Sequence, residues 1–230
     1  MQHRFSSLAF ATLMVCLAPA AHAVSSPGLS VGVFGGSDGS AQDTVVANLT
    51  GQGVFSSVTG LTGNETAGDL SAYNVLLVYS NSATGYASFG DQVADYLDNG
   101  GHLVAATFLA QTLDTGYAQS YGRLQTGGYL PWSGYIGNYN ESTLGSHVGG
   151  PLFDGVLSLS GYFRDIVTTG ADTTVLGRWA DGAPLVSVNT RGVVGLFLFP
   201  NDAYGNVGGD YNRLIANTLT YAASGVSAVP

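Results

Sequence analysis

Few side chains of this sequence could act as nucleophiles or proton carriers. Its 230 residues include one cysteine, Cys16, and no lysine. Cys16 lies in an N-terminal segment that we expect to be removed, so the expected mature chain has no thiolate nucleophile, Schiff-base lysine or P-loop lysine. The chemistry left is that of aspartate, serine and two histidines beyond the leader, His102 and His147.

These two histidines occupy different predicted settings. His102 begins a predicted strand, at the sheet edge opposite the one where doubly wound sheets bind ligands, and a structural role is favoured. His147 lies in an irregular segment near the ligand-binding edge, where an imidazole can serve as acid, base or ligand. Spacing fixes no partner for it, so a loop histidine bonded to solvent or backbone is the alternative.

Two glycine-containing patterns resemble parts of known sites. Gly28–Gly32 fits G-x-S-x-G, but Ser30 falls inside a predicted strand, whereas a hydrolase elbow needs a sharp turn. The turn Gly35–Ser40 could hold a phosphate with backbone amides at the start of a helix. A plain turn followed by a helix cap explains the same residues.

Oxygen ligands suited to calcium are clustered late in the chain. Their spacing does not fit an EF-hand loop, and turn formation explains them with fewer assumptions. The residues concerned are Asn201, Asp202, Asn206 and Asp210. We expect no metal and no cofactor.

Composition places the chain among globular proteins. The formal net charge is -9, 45% of residues are hydrophobic, 9% are charged and 34 are glycine. This composition excludes disorder, coiled coil and collagen. The arginines beyond residue 23 are scattered, so no basic surface for nucleic acid or anionic lipid is expected.

The N-terminal segment has the pattern of an export signal. Met1–Arg4 is basic, Leu8–Leu17 is apolar but too short to span a bilayer, and Ala21–Ala23 has the small-x-small form of a cleavage site. We expect a signal peptide over residues 1–23 and a mature, exported chain that begins at Val24. The destination is the periplasm, the cell surface or the medium.

The other end of the chain is a small-residue linker. Residues 225–230 follow the last predicted helix, and Val229–Pro230 resembles the approach to a PEP-CTERM sorting signal. That resemblance implies a longer native chain with a sorting helix.

Between a leader over 24–28 and this linker, apolar runs alternate with helical patterns. The alternation predicts an α/β fold with a single doubly wound, mostly parallel sheet over residues 29–224. Strands are predicted over 29–33, 54–58, 74–80, 102–108, 163–168, 174–179, 184–188 and 193–199, and helices over 40–49, 88–99 and 210–222.

The segment from Ala110 to Gly150 lacks this periodicity. It is rich in glycine and tyrosine and is too long for an ordinary connection, which predicts an irregular lid insertion. Its aromatic rings, interleaved with Gly, Ser and Asn, suit a sugar or a partner surface. The alternative is that they cover one edge of the sheet. These rings are Tyr117, Tyr121, Tyr129, Trp132, Tyr135 and Tyr139.

Several strings resemble the class I glutamine amidotransferase-like superfamily, near its trehalose-utilisation-type branch. They are the strand-helix-strand unit Val75–Phe108 with its hinge Tyr96–Gly101, the closing unit Phe199–Pro200 with Tyr211–Asn217, and the strings His147–Val156 and Leu176–Val186. The resemblance implies a flavodoxin-like sheet order. It also implies a nucleophilic cysteine near Thr107, Phe108 or Leu109 with a late histidine and acid, and none of these is present, so amidotransferase or peptidase activity is not expected.

The leading functional prediction is therefore a catalytically degenerate domain that binds a carbohydrate-like ligand or an envelope or matrix protein. Binding is expected where the parallel strands end. The predicted contacts are Ser37, Asp38, Ser80, Asn81, Phe108 and Asp202 at strand ends, with Trp132 and His147 from the lid. A hydrolase of carbohydrates or esters with Asp38 or Asp202 as base, and a structural surface or matrix protein, are the alternatives.

Overall fold

The computed structural model describes residues 28–36, 39–81, 85–113, 120–137, 140–202 and 207–225. The predicted signal peptide, most of the predicted leader and the Val229–Pro230 pair lie outside these residues. So do Ser37 and Asp38. Among the described residues, no helix has the length and apolar character needed to cross a bilayer.

Strands and helices alternate along the first half of the chain, and strands predominate in the second. The strands are β1 (Ser30–Phe34), β2 (Ser57–Gly60), β3 (Val75–Val78), β4 (Leu103–Ala106), β5 (Trp132–Gly137), β6 (Ser142–His147), β7 (Leu159–Gly161), β8 (Ile166–Thr169), β9 (Thr173–Trp179), β10 (Pro184–Asn189), β11 (Val194–Leu196) and β12 (Val207–Gly209). The helices are α1 (Gly39–Gly51), α2 (Ala67–Leu70), α3 (Ala87–Asp98), α4 (Gly122–Thr126) and α5 (Tyr211–Ala223).

Ten strands form one sheet, and half of it is parallel. Strands β2, β1, β3, β4 and β11 lie side by side in that order and pair in parallel. This is the flavodoxin-like order, and the predicted doubly wound α/β sheet is confirmed. Every residue of β3 and β4 is buried, because helices cover both faces of these strands.

The other half of the sheet is antiparallel. Beyond β11 follow β10, β9, β6, β7 and β12, each antiparallel to its neighbour. Strands β5 and β8 form a separate antiparallel pair against one face of the large sheet. The sheet is thus a parallel layer extended at one edge by antiparallel strands, of which β9, β10 and β11 follow one another through short turns.

Each face of the sheet has its own core. Helices α1 and α5 pack on the face that carries Val31, Leu77 and Val104. Helices α3 and α4 and the β5–β8 pair pack on the face that carries Leu76 and Ala105. The period-two alternation of each strand decides which side chain enters which core.

The segment 110–150 differs from the prediction. Its described residues contain α4, β5 and β6, so that part is not an irregular lid. Tyr121, Tyr129 and Trp132 are 0%, 5% and 6% exposed. These three rings cover the sheet, as the alternative expected, but they pack into the core on one face and not along an edge. Tyr117 and Tyr139 lie outside the described residues.

Candidate functional site

The carboxyl ends of the parallel strands bring three predicted contacts together. The amide of Tyr79 donates to the carbonyl of Phe34 at 3.0 Å, and the amide of Phe108 donates to the carbonyl of Ser80 at 3.0 Å. The ends of β1, β3 and β4 are therefore joined by backbone hydrogen bonds. Ser80 is buried, Asn81 is half-buried and Phe108 is 7% exposed.

An aromatic cluster packs against these strand ends. The Phe108 ring stacks on Phe199 with centroids 5.4 Å apart and also contacts Phe163 at 5.6 Å. Tyr79 meets Phe199 edge to face at 5.6 Å. Phe163 is fixed there because its carbonyl accepts the Phe199 amide at 3.0 Å. Its neighbour Tyr162 is 44% exposed at the rim of the cluster.

Two buried amide side chains hold the loop after β1. The amide of Gly35 donates to Gln42 Oε1 at 2.8 Å, and Gln42 Nε2 donates to the Leu61 carbonyl at 2.9 Å. Asn201 Nδ2 donates to the Ala41 carbonyl at 2.6 Å. A side chain at position 35 would collide with the Tyr79 ring, which explains glycine there. The start of the predicted phosphate-binding turn is thus part of the packed structure, and its centre lies outside the described residues.

Asp202 lies at the exposed side of this edge, next to α5. Burial and a hydrogen bond with Asp202 raise the pKa of Tyr211 to about 12. Asn48 Nδ2 on α1 also donates to the Tyr211 hydroxyl, at 3.2 Å. Asp202 therefore faces a phenol that remains protonated across the physiological range. A neutral phenol and a carboxylate are hydrogen-bonding groups suited to a polar ligand.

Asp165 is a buried acid that the sequence analysis missed. Burial raises its pKa to about 8, and the Ala110 amide, which donates to Oδ2 at 3.0 Å, only partly offsets this. Its own amide donates to Thr107 Oγ1 at 3.1 Å, while its Oδ1 has no hydrogen-bond partner among the residues that the structure describes. Asp165 thus lies directly behind the turn that follows β4. The sequence did contain a signal for this buried acid. Arg164 and Asp165 are adjacent charged residues beside an apolar strand, in a chain in which 9% of the residues are charged.

The two contacts predicted from the lid lie elsewhere. Trp132 packs edge to face on Phe197 with centroids 5.6 Å apart, and its buried ring has no open face for a ligand. His147 is exposed on β6 and stacks on Phe153 at 4.3 Å. Strands β9 and β10 separate β6 from β11, so His147 is not brought to the strand-end edge beside Asp202.

Other predicted chemical positions have structural partners. Ser30 begins β1, and its hydroxyl donates to the Ala72 carbonyl at 3.0 Å, so it is not at a turn as a nucleophile elbow requires. Asp210 Oδ2 accepts the amides of Leu157 and Ser158, each at 2.9 Å. The His102 carbonyl accepts the Leu76 amide at 2.9 Å, at the amino end of the sheet as predicted.

Comparison with known proteins defines the fold. No family model matches the chain, and no curated protein matches it. A solved structure described as a ThuA-like protein from Bacteroides uniformis ATCC 8492 superposes with a TM-score of 0.58 and 14% identity, over 89% of this chain and 95% of that one. A cytoplasmic protein from Salmonella typhimurium gives a TM-score of 0.62 and 13% identity, over 84% and 98%.

A third structure, described as a GMP synthase component from Thermoplasma acidophilum, gives a TM-score of 0.55 and 12% identity, over 85% of this chain and 94% of that one. The chain has a glutamine amidotransferase-like fold. At these identities the likeness establishes the fold alone. In this fold, the turn after β4 carries Thr107, Phe108 and Leu109, which are 0%, 7% and 0% exposed.

Proposed function

We propose that this protein is an exported, catalytically degenerate amidotransferase-like domain that binds a carbohydrate-like ligand where its parallel strands end. The observation that carries the proposal is the turn after β4. Phe108 occupies it, with its ring packed against Phe163 and Phe199. An aromatic ring supplies no nucleophile.

The polar groups around this aromatic cluster suit a sugar. Asn81 is half-buried and Asp202 is exposed, and Tyr162 offers a ring that is 44% exposed. Sugars present hydroxyls to amides and carboxylates and apolar ring faces to aromatic side chains. We place Ser37 and Asp38 in the same proposed site because they lie within four residues of the end of β1 in the sequence.

The hydrolase alternative needs a histidine beside an acid at this edge. His147 stacks on Phe153 in the antiparallel half, and Asp202 hydrogen-bonds to Tyr211 instead. A general base has to reach the proton it removes, directly or through one water. This arrangement supports binding over hydrolysis, while an envelope or matrix partner at the same edge is the second candidate.

The proposal is tested on the mature chain with two assays run together. Glutamine hydrolysis should stay at background, and a glycan array should identify a ligand whose binding titrates to saturation. Asn81→Ala and Asp202→Asn should each weaken that binding about tenfold, because each removes one ligand hydrogen bond to a polar or charged group. Asp43→Asn, on the exposed side of α1, is the matched control and should change nothing.

Measurable glutamine hydrolysis would contradict the degenerate-domain proposal. Failure of glycans to bind, together with capture of a single envelope protein that Asp202→Asn abolishes, would favour the protein-partner candidate. Export is tested separately by the intact mass of the secreted chain, which should begin at Val24. Retention of Met1 or a lipid on Cys16 would contradict it.

A further inference from the structure

A cavity lies on the face of the sheet that α1 and α5 cover, away from the carboxyl ends of the strands. It has a volume of about 430 Å³ and runs along α5 from Arg213 to Ser224. Its other walls are the 3-10 turn Pro151–Phe153 and the segment Gln52–Val54 that follows α1. This volume is within the range of roughly 300–1,000 Å³ that is common for small-molecule sites.

The floor of the cavity is mainly apolar. Val54, Pro151, Ala216 and Tyr221 line it. Asn217 fixes one wall, because its Nδ2 donates to the carbonyls of Leu152 at 3.2 Å and of Asp154 at 3.0 Å. The turn 151–154 is therefore attached to α5, and the cavity is preformed. A preformed apolar floor favours a ligand with an apolar body.

Two opposite charges lie at this cavity without pairing. Arg213 and Asp154 both line it, yet neither forms an ion pair within 4.0 Å among the described residues. The two residues lie near each other, because Gly155, which follows Asp154 in the chain, lies beside Arg213. A Cβ added to Gly155 would be 3.5 Å from Arg213 Nε. By contrast, Arg123 and Arg164 each form an ion pair with aspartate.

The acid nearest to Arg213 in the sequence is already engaged. Asp210 Oδ2 accepts the amides of Leu157 and Ser158, each at 2.9 Å. These bonds are the main reason why the pKa of Asp210 is lowered, and the charge of Arg213 contributes least. The guanidinium of Arg213 therefore keeps donors for a ligand carboxylate, which it can bind through two parallel hydrogen bonds.

We infer that this cavity binds a free α-amino acid with an apolar side chain. Its carboxylate pairs with Arg213, its ammonium group pairs with Asp154, and its side chain covers the surface formed by Val54, Ala216 and Tyr221. An apolar side chain matches the mainly apolar floor, and a zwitterionic head group complements two unpaired protein charges, of which Asp154 is exposed and Arg213 half-buried. The inference is independent of the sugar site proposed at the strand ends.

Calorimetric titration of the folded mature chain with L-phenylalanine and L-leucine tests this assignment. Both should bind saturably at one site. The analogues 3-phenylpropionate, which lacks the ammonium group, and 2-phenylethylamine, which lacks the carboxylate, should each bind about tenfold more weakly, since each loses one charge-assisted hydrogen-bonded pair.

Two charge variants and two matched controls locate the site. Arg213→Gln should weaken the binding of L-phenylalanine and 3-phenylpropionate about tenfold and leave the binding of 2-phenylethylamine unchanged. Asp154→Asn should weaken the binding of L-phenylalanine and 2-phenylethylamine about tenfold and leave the binding of 3-phenylpropionate unchanged. Arg178→Gln and Asp43→Asn remove exposed charges outside the cavity and should bind as the parent does.

The folded state of every variant is checked by circular dichroism before titration. The inference would be overturned by the absence of saturable binding of either amino acid to the folded chain, or by binding that both charge variants leave unchanged. Equal affinity for L-phenylalanine and its two singly charged analogues would also overturn it, because the paired charges would then have no part in recognition.

Discussion

Two neighbouring residues, Arg164 and Asp165, are buried in opposite ionisation states. The Arg164 side chain is fully buried but charged, because it bonds to the Asp181 carboxylate and to the Asn140 carbonyl and lies over the Trp179 ring. Within the described part of the chain Asp165 has no such counterion, and it keeps its proton because burial raises its pKa. A buried side chain therefore remains charged only where a partner of opposite charge or a hydrogen-bonding group contacts it.

The raised pKa of Asp165 predicts a pH-dependent stability. In the unfolded chain the carboxyl ionises above about pH 4, whereas in the folded chain it ionises only near its pKa of about 8. Between these values the unfolded state binds fewer protons, so the free energy of unfolding falls as pH rises. The melting temperature, measured from pH 5 to pH 8, should therefore include a downward contribution from Asp165.

Asp165→Asn should remove that contribution. The amide is neutral at every pH in this range. An unpaired NH group therefore lowers the melting temperature equally at every pH and leaves the slope of melting temperature against pH unchanged. Asp43→Asn alters an exposed carboxyl and should keep the parent slope. Parallel curves for the parent and Asp165→Asn would show that Asp165 is ionised in the folded state.

The Arg164–Asp181 pair should contribute more to stability than an exposed pair. Asp181→Ala leaves a fully buried guanidinium without its carboxylate, and we expect a loss of about 3 kcal/mol in the free energy of unfolding. Asp95→Ala is the matched control, because Arg123 is 48% exposed and keeps Asp98 as a partner, so the loss should be below about 1 kcal/mol. Urea unfolding measures both, and equal losses would contradict the comparison.

At the scale of single elements, the β5–β8 pair depends on Trp132. Its buried ring packs on Phe197 and joins the pair to the large sheet. Trp132→Ala should therefore lower the free energy of unfolding by about 3–5 kcal/mol through lost burial and a cavity. Ile136→Ala lies on the same strand, where the side chain is 67% exposed, and should change it by less than about 0.5 kcal/mol. Thermal and urea unfolding of both variants test this.

The sequence predicted elements best where apolar residues repeat regularly. The runs that became β3, β4 and β10 are continuous and apolar, and α5 has apolar residues at helical spacing, so each lies within a few residues of its prediction. Strands β5, β6, β7 and β12 were missed. Their pairing depends on distant segments: Gly145 in β6, for example, has no room for a side chain because the Trp179 backbone lies against it.

Helix ends and the candidate site were harder to predict, because they show no repeating pattern or depend on residues that are distant in the sequence. The capping box at Thr66 and Asp69 starts a four-residue helix that has too few residues to show a period. The helix predicted over 88–99 begins at Ala87, and its N-cap residue Tyr86 makes no side-chain capping hydrogen bond. Strand ends such as Ser80 and Phe108 could be predicted from the parallel order alone. Phe163 and Asp165 could not, since tertiary packing brings them there.

Across the whole molecule, the parallel and antiparallel halves of the sheet share a core. Val31, Leu77 and Val104 from the parallel half belong to the same buried cluster as Trp179 and Leu185 from the antiparallel half. The strands are also joined by the β10–β11 ladder, with Val186 opposite Leu196 and Val188 opposite Val194. Neither half can unfold without exposing apolar surface of the other, so the two should be energetically coupled.

This coupling predicts one cooperative unfolding transition, although the domain is larger than most two-state examples. The chain has two tryptophans, and Trp132 and Trp179 belong to the cores on opposite faces of the sheet. In Trp132→Phe, fluorescence reports on Trp179, and in Trp179→Phe it reports on Trp132. Because each substitution itself changes stability, the fluorescence of each variant is compared with its own far-ultraviolet circular dichroism in urea. The two midpoints should coincide within each variant, since loss of the shared core unfolds both halves together. An earlier fluorescence transition for Trp179 would show that the antiparallel half opens while the parallel strands remain folded.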